Sequence, residues 1–450
     1  MFFKQKSDIM FRNYEAFGYI TDNRNFRYRQ TNNDKNNIGD KIVSQSGAIF
    51  LSVLSRKSKT LDELVKEISK QFIGADIEIL KNDVKEFYNM LEQDGFIVSG
   101  ETDKECNEKD TRLESEIEKK DFSSTIVRHE KSTQEFLEEY FKGKPQLTNL
   151  HIEITSRCNE RCVHCYIPHE SKVRDIEPDL FYDVLNQCKE MRLLHLTLSG
   201  GEPMIHKKFI DYLRKCREYD FSVNVLSNLI LLDKKIIAEM KKNHLLGVQT
   251  SLYSMDSKIH DEITQVDGSF KKTKAAILKL IENDIPVQIS CPIMKQNKNS
   301  YNAVLSWAKE HKIPVESDYV IIAGYNNTMQ NLSNRLSISE LEEVINDIIV
   351  NDTGYLKNIE NEAEQKKNIA PNDIVCSVCH SSICVADNGD VYPCAGWQGY
   401  IVGNIKEISL KEIWDRSEKV QYLRNLRKKD FPKCIPLLSG LTFETLQKWL

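Results

Sequence analysis

The stretch Ile154-Thr-Ser-Arg-Cys158-Asn-Glu-Arg-Cys162-Val-His-Cys165-Tyr166 decides how the rest of the 450-residue chain is read. Its cysteines are spaced C-x3-C-x2-C, directly after the segment Leu147 to Thr155, whose alternation reads as a strand. Thiolates are soft ligands suited to iron–sulfur clusters and to zinc. Three of them on one loop can each hold an iron of a [4Fe–4S] cube, which leaves the fourth iron open to a small molecule. A structural zinc site wants four ligands, and His164 or His169 is at hand to complete one. The spacing alone leaves both readings open. A disulfide is not expected in a chain without a secretory signal.

Enough chain follows Cys165 for one helix and one strand before Leu194-His-Leu-Thr-Leu-Ser-Gly200-Gly201-Glu202-Pro203. The three-cysteine loop and this Gly-Gly-Glu-Pro turn, in this order, resemble the radical S-adenosylmethionine (radical SAM) superfamily. The resemblance implies that Cys158, Cys162 and Cys165 ligate a [4Fe–4S] cluster and carry the catalysis. It implies that Gly200, Gly201, Glu202 and Pro203 form the turn that binds the methionine ammonium of S-adenosylmethionine, and that His164 and Tyr166 flank the cofactor. Two more strand ends match. Gln249-Thr-Ser251 offers Gln249 and Ser251 to ribose hydroxyls, and Ser227-Asn228-Leu229 keeps Asn228 of a turn that usually reads Thr-Asn-Gly. The glycine that permits close backbone approach is replaced there by Leu229.

The length suits two or three domains with a large core. A formal net charge of −5 implies no basic face for nucleic acid. Lys4 and Lys6 are not followed by an apolar run of signal-peptide length, and no run approaches a membrane span, so a cytoplasmic protein is expected. Twelve cysteines in such a chain point to metal or redox chemistry. Cys106, Cys188, Cys216 and Cys291 stand alone and read as ordinary core or surface thiols.

Residues 1–100 read as a separate domain. Tyr14 to Gln30 alternates around Asp22-Asn-Arg-Asn25 as a β-hairpin, with Phe17, Tyr19, Phe26 and Tyr28 on its apolar positions. Helical stripes follow, one opened by the capping-box pattern Thr60-Leu-Asp-Glu63, and Phe96-Ile-Val98 returns as a strand. This winged-helix-like pattern resembles the PqqD-like recognition domain of ribosomal-peptide maturases. There a precursor's leader peptide adds a strand to the sheet and packs on the third helix. Residues 101–146 are dense in charge and read as a solvated linker, partly helical at best.

From 147 to 335, six strands (Leu147–Thr155, Leu194–Leu198, Ser222–Ser227, Gly247–Leu252, Val287–Pro292 and Val315–Ile322) alternate with helices. That is the pattern of an α/β fold, a partial (βα)6 TIM-type barrel with ligands at the strands' carboxyl ends. Residues 336–375 read as a bridging, partly helical region, and 376–450 bring the second cysteine group. Cys376, Gly389 and Cys394 resemble the opening of the SPASM and Twitch extensions, which carry auxiliary iron–sulfur clusters. The resemblance implies one auxiliary cluster on Cys376, Cys394, Cys434 and Cys379, with Cys384 as the other choice for the fourth ligand. The region supplies five thiols, too few for two complete clusters of four cysteines each.

Together these resemblances imply an enzyme similar to sactipeptide and ranthipeptide thioether synthases. Reductive cleavage of S-adenosylmethionine would give a 5′-deoxyadenosyl radical, and a cysteine sulfur of a ribosomal precursor peptide would close on a carbon. The partners implied are that peptide, its leader bound at the N-terminal domain, and an electron donor such as flavodoxin or ferredoxin. Alternatives from the same barrel are a peptide epimerase, a C–C or C–O crosslinker and a maturase of an enzyme active site. A non-catalytic leader-binding partner is the alternative outside catalysis.

Overall fold

The computed structural model describes residues 1–23, 38–116, 137, 139–243, 245–325, 328–351, 371–374, 376 and 378–429. The chain divides into two compact units, 1–144 and 145–450.

In the first unit, β1 (Phe2–Gln5) pairs with both β5 (Lys59–Thr60) and β6 (Ile97–Gly100), while β2 (Ile9–Asn13), β3 (Gly18–Asp22) and β4 (Asp40–Val43) form a second antiparallel sheet. Three helices, α1 (Gln45–Ser52), α2 (Leu61–Ile68) and α3 (Ile77–Gln93), cover them. The capping box at Thr60 and Glu63 is formed, each side chain bonding the other's backbone. Leu64, Val65, Leu80, Val84 and Tyr88 bury the helices' apolar stripes, and the Tyr88 hydroxyl donates to the Phe50 carbonyl at 2.8 Å.

The hairpin differs from the one expected around Asp22. Its strands are β2 and β3, and its turn is Tyr14–Phe17, where Tyr14 N bonds Phe17 O at 2.9 Å. Asn13 Oδ1 accepts from Glu15 N at 2.8 Å and lets Glu15 take φ 70°, the local side-chain bond by which asparagine makes turns. The alternation therefore begins at Ile9, earlier than the aromatic residues suggest. Phe26 and Tyr28 lie outside the described residues. The start of the charged segment also departs from a solvated linker, while residues 117–136 lie outside the described residues. Residues Asp103–Glu116 form α4, which packs on β1 and β6 by burying Cys106 and the Lys4–Asp110 ion pair at 2.8 Å.

The second unit is built on a single sheet. Among the described residues its order is β12-β11-β10-β9-β8-β7-β13-β14-β15. Here β7 is Asn149–Thr155, β8 His195–Gly200, β9 Ser222–Leu226, β10 Leu245–Ser251, β11 Val287–Ser290 and β12 Val315–Glu316. All are parallel neighbours in chain order, with helices between them, which is the partial barrel. One face of each strand carries Leu150, Ile152, Leu196, Leu198, Val223, Val225, Val248, Val287 and Ile289 into the core under the helices. Each such side chain stabilises the fold by about 1.5–3 kcal/mol. The other face, with His151, Glu153, Thr197, Ser199, Asn224, Gln249 and Ser290, is polar and lines the lumen.

Beyond β7 the sheet continues into β13 (Ser382–Val385), β14 (Asp390–Tyr392) and β15 (Gly403–Asn404). The turn Asp387-Asn-Gly389 joins β13 to β14 as a hairpin, with Gly389 at φ +90°. The parallel pairing of β13 with β7 was not visible in the sequence, because it joins segments more than 200 residues apart. Cys106, Cys188, Cys216 and Cys291 are all fully buried.

At the end of β9 the residue replacing glycine, Leu229, adopts φ +64°. That conformation costs a non-glycine residue roughly 1–2 kcal/mol. The side chain is buried in the barrel core, and truncating a buried leucine costs about 2–5 kcal/mol. Burial wins. Leu229→Gly should therefore lower stability, by about 1–3 kcal/mol, in anaerobic urea unfolding. A stabilised variant would show that the strain outweighs the packing.

Candidate functional site

The cluster loop leaves β7 at Thr155 and is held from several sides. Its Arg161 and Val163 amides bond the carbonyls of Thr264 and Ile263 at 3.0 and 2.9 Å. Asn331 and Asn334 donate to the carbonyls of His164 and Val163 at 3.2 and 2.9 Å. From the C-terminal hairpin, Asp387 Oδ2 accepts from Ser156 N at 3.0 Å. A loop fixed at both ends presents its side chains without much ordering cost on binding.

Cys158, Cys162 and Cys165 are free, half-buried thiols on this loop, close enough that the other two raise the Cys162 proton affinity. Burial pushes Cys158 up to about 11 and Cys162 well above the usual thiol range. Bare thiolates are therefore disfavoured here, and a bound metal has to replace the protons. Glu160 N points at Cys158 Sγ at 3.4 Å, and Asn228 Nδ2 lies 3.9 Å from the same sulfur. His164 Nδ1 and Glu160 Oε1 are buried with no hydrogen-bond partner. Three convergent thiols beside unsatisfied polar atoms fit an iron–sulfur cluster better than a closed structural zinc site, whose fourth ligand the loop does not bring in. His164 instead pairs with Tyr253, ring centroids 5.2 Å apart and Tyr253 Oη 3.4 Å from Nε2.

The Gly-Gly-Glu-Pro turn lies against the base of this loop. Gly201 N bonds Thr155 O at 2.7 Å and Glu202 N bonds Arg157 O at 2.8 Å. A Cβ on Gly200 would fall on the Thr155 carbonyl oxygen, and one on Gly201 on that of Arg157. Gly200 also has φ +131°. No other residue type permits that contact. Pro203 is buried and opens the short 3-10 turn that follows.

Glu202 is fully buried and accepts from Met204 N at 2.9 Å, Ser227 Oγ at 2.9 Å and Asn228 N at 2.7 Å. Burial raises its carboxyl to about 7 against those hydrogen bonds. Its first task is to tie the turn to the end of β9, and so to hold Asn228, whose amide also bonds Asn159 Oδ1 at 2.8 Å. Ser227 and Asn159, which hold Glu202 and Asn228 here, have no spacing signal of their own in the sequence.

Tyr166 sends its hydroxyl into the barrel, to Glu153 Oε1 at 2.7 Å. Tyr325 Oη and Gln398 Nε2 donate to the same carboxylate at 2.9 and 3.2 Å. Burial raises Glu153 to about 7, opposed by these three bonds. Glu153 thus joins the cluster loop to the C-terminal region, a role that its place in an alternating strand does not reveal. Ser251 is a hydrogen-bonding neighbour of Tyr253 and so reaches the loop through His164. Gln249 bonds Glu316 at 3.4 Å, two strands farther round.

In the C-terminal region Cys379 is buried at φ +59°, close enough to Cys376 and Cys394 for both to raise its thiol proton affinity. Arg424 Nε bonds the Cys379 carbonyl at 2.6 Å and supplies positive charge beside the group. Cys384, the other extra cysteine, sits on the lumen face of β13 in contact with Ala386 and Tyr392. Cys434 lies outside the described residues. Among the described residues no helix is long and apolar enough to cross a membrane.

Residues 152–308 match the radical SAM superfamily, and residues 376–435 match SPASM, an iron–sulfur cluster-binding domain. The chain is 26% identical over 320 residues to the tungsten-containing aldehyde ferredoxin oxidoreductase cofactor-modifying protein of Pyrococcus furiosus, covering 63% of this chain and 85% of that protein. It is 22% identical over 189 residues to the PqqA peptide cyclase of Bradyrhizobium diazoefficiens, covering 42% and 49%. Its fold is similar to that of Streptococcus suis SuiB, solved bound to the precursor peptide SuiA, with a TM-score of 0.59 and 16% identity over 99% of this chain and 97% of that one.

The two-backbone junction makes a direct prediction. Gly201→Ala should displace the loop and reduce the iron retained after anaerobic reconstitution, while Gly143→Ala, whose added carbon meets nothing within 4 Å, should retain wild-type iron. Equal iron in both variants would show that the junction does not support the cluster.

Proposed function

We propose that this radical SAM enzyme matures a ribosomally made peptide by closing a thioether between a cysteine sulfur and a carbon of the precursor. The observation that carries the reading is the span of the fold likeness. It covers 99% of the chain, N-terminal unit included, and its partner is a protein crystallised with a precursor peptide. The relative named as a PqqA peptide cyclase points to the same substrate class.

When bound, the [4Fe–4S] cluster and S-adenosylmethionine supply a 5′-deoxyadenosyl radical, able to take hydrogen from an unactivated carbon. The chain's own residues hold and shield that chemistry. Cys158, Cys162 and Cys165 ligate the cluster. The backbone of Gly200, Gly201 and Glu202 receives the methionine ammonium, whose charge the Glu202 carboxylate complements. His164, Tyr166, Asn228 and Ser251 border the cofactor, and Gln249 takes part from the neighbouring strands. Cys376, Cys379 and Cys394, with Cys434, hold an auxiliary cluster beside Arg424. The polar lumen receives the peptide, with water excluded by the packed loop around it.

Leader recognition belongs to the first unit. In the described sheet β4 is an edge strand, and Lys41 on it pairs with Asp94 just past α3. A leader adding as a strand there reaches the helix as well. Electrons come from a small carrier of the flavodoxin or ferredoxin class.

The test is product analysis with a precursor peptide encoded beside the gene, under anaerobic conditions with S-adenosylmethionine and a strong reductant. The expected product is lighter by two hydrogens and has lost one alkylatable cysteine. Cys158/Cys162/Cys165→Ala should form no 5′-deoxyadenosine. A product of unchanged mass that takes up deuterium from heavy water would instead mean epimerisation. Loss of two hydrogens with every cysteine still alkylatable would mean a C–C or C–O crosslink.

A further inference from the structure

Besides the thiols of the cluster loop and the group of Cys376, Cys379 and Cys394, another set of metal-ligand side chains converges among the described residues. His151, Glu153 and Cys384 each offer one ligand atom, and these atoms lie within 4.8 Å of one another. We propose that this triad binds a single zinc-type divalent cation of its own in the barrel lumen, beside the auxiliary cysteine group. Metal binding here is independent of which substrate the enzyme takes.

The sheet register builds the triad. β13 lies parallel to β7 with Cys384 opposite His151, so the two side chains leave the sheet on the same face. Glu153 follows two residues along β7 and returns to that face. The face is the lumen, because Leu150, Ile152, Ile383 and Val385 point the other way into the core under the helices. Donors mounted on paired strands are placed more precisely than donors on loops.

The donor types select the ion. One thiolate, one imidazole and one carboxylate are three protein ligands of the kinds zinc takes, and they leave a fourth position open. Hard cations such as Mg²⁺ avoid thiolate, and a cluster iron would draw on thiolates alone at a cysteine-rich site. A tetrahedral site with zinc bonds of about 2.0–2.3 Å spaces its donors about 3.3–3.8 Å apart. From separations within 4.8 Å the triad closes by at most about 1.5 Å, a movement of the size that rotation about side-chain bonds provides.

The surroundings complete the case. Ser199 Oγ contacts Nε2 of His151, and Tyr166, Tyr325 and Gln398 all donate to Glu153. Such outer partners orient metal ligands. Every one of these donors to Glu153 is neutral. A dication binding here would displace the Cys384 proton and neutralise the thiolate so formed together with the buried carboxylate, which neutral donors do not.

The experiment uses the full-length, anaerobically reconstituted enzyme. It is dialysed against increasing zinc chloride, and zinc and iron are then counted in wild type, His151→Gln, Glu153→Gln and Cys384→Ser. The wild type should take up about one zinc per chain without losing iron, and each variant should bind it at least about tenfold more weakly with iron unchanged. Zinc-edge X-ray absorption of the wild type should show a single sulfur neighbour beside nitrogen and oxygen. Absence of zinc uptake, or uptake indifferent to all three variants, would overturn the proposal. So would iron loss confined to Cys384→Ser, which would make Cys384 a ligand of the auxiliary cluster.

Discussion

Two backbone hydrogen bonds, Gly201 N to Thr155 O at 2.7 Å and Glu202 N to Arg157 O at 2.8 Å, fasten the turn after β8 to the root of the three-cysteine loop. The approach is so close that neither glycine has room for a Cβ. Everything around the junction reinforces it. β7 and β8 are parallel neighbours, and their register shifts between Glu153 and Thr155, the kind of irregularity that re-aims a strand end. Glu202 then carries the constraint to β9 through Ser227 and Asn228, and Asn228 returns it to the loop at Asn159. Three strand ends are thereby locked before any ligand arrives.

The cost of this arrangement is concentrated in buried acids. Glu153, Glu160 and Glu202 are each raised to about 7, with burial as the largest cause. A buried carboxylate is tolerated only when hydrogen-bonded or paired. Glu202 has backbone and serine donors, Glu153 has two phenols and an amide, and Lys172 lies close to Glu160, where its charge opposes the rise. Acids held at this cost around the three-cysteine loop suit cationic ligands, a sulfonium, an ammonium or a metal ion. The apolar faces of the strands hold the polar lumen open against this cost.

Much of the site was legible because it is local in sequence. The cysteine spacing, the Gly-Gly-Glu-Pro turn and the alternating strands each lie within a short window, and the structure brings Cys158, Cys162, Cys165, Gly200, Gly201, Glu202 and Asn228 around one loop. The position of Glu153 was not legible. It looks like any polar residue of an alternating strand, and its partners Tyr325 and Gln398 come from about 170 and 245 residues away. The pairing of β13 with β7 is hidden for the same reason, as is the separation of Cys379 from Cys384. The hairpin of β2 and β3 was not foreseen because its turn is made by Asn13, a lone side chain without a turn signature, while the arm expected beyond Asn23 lies outside the described residues. The docking of the helix over 103–116 was not legible because the buried Lys4–Asp110 pair and Cys106 that hold it are invisible in composition.

The central claim is that the three-cysteine loop and the glycine turn form one site shared by a cluster and S-adenosylmethionine. The most direct measurement is low-temperature electron paramagnetic resonance of the reduced enzyme, before and after S-adenosylmethionine is added. It is made on a Cys376/Cys379/Cys394→Ala variant so that only the loop can hold a cluster. The account predicts a reduced [4Fe–4S] signal whose g values move when S-adenosylmethionine binds. A signal unchanged by S-adenosylmethionine, or no signal in this variant while the wild type retains one, would contradict it.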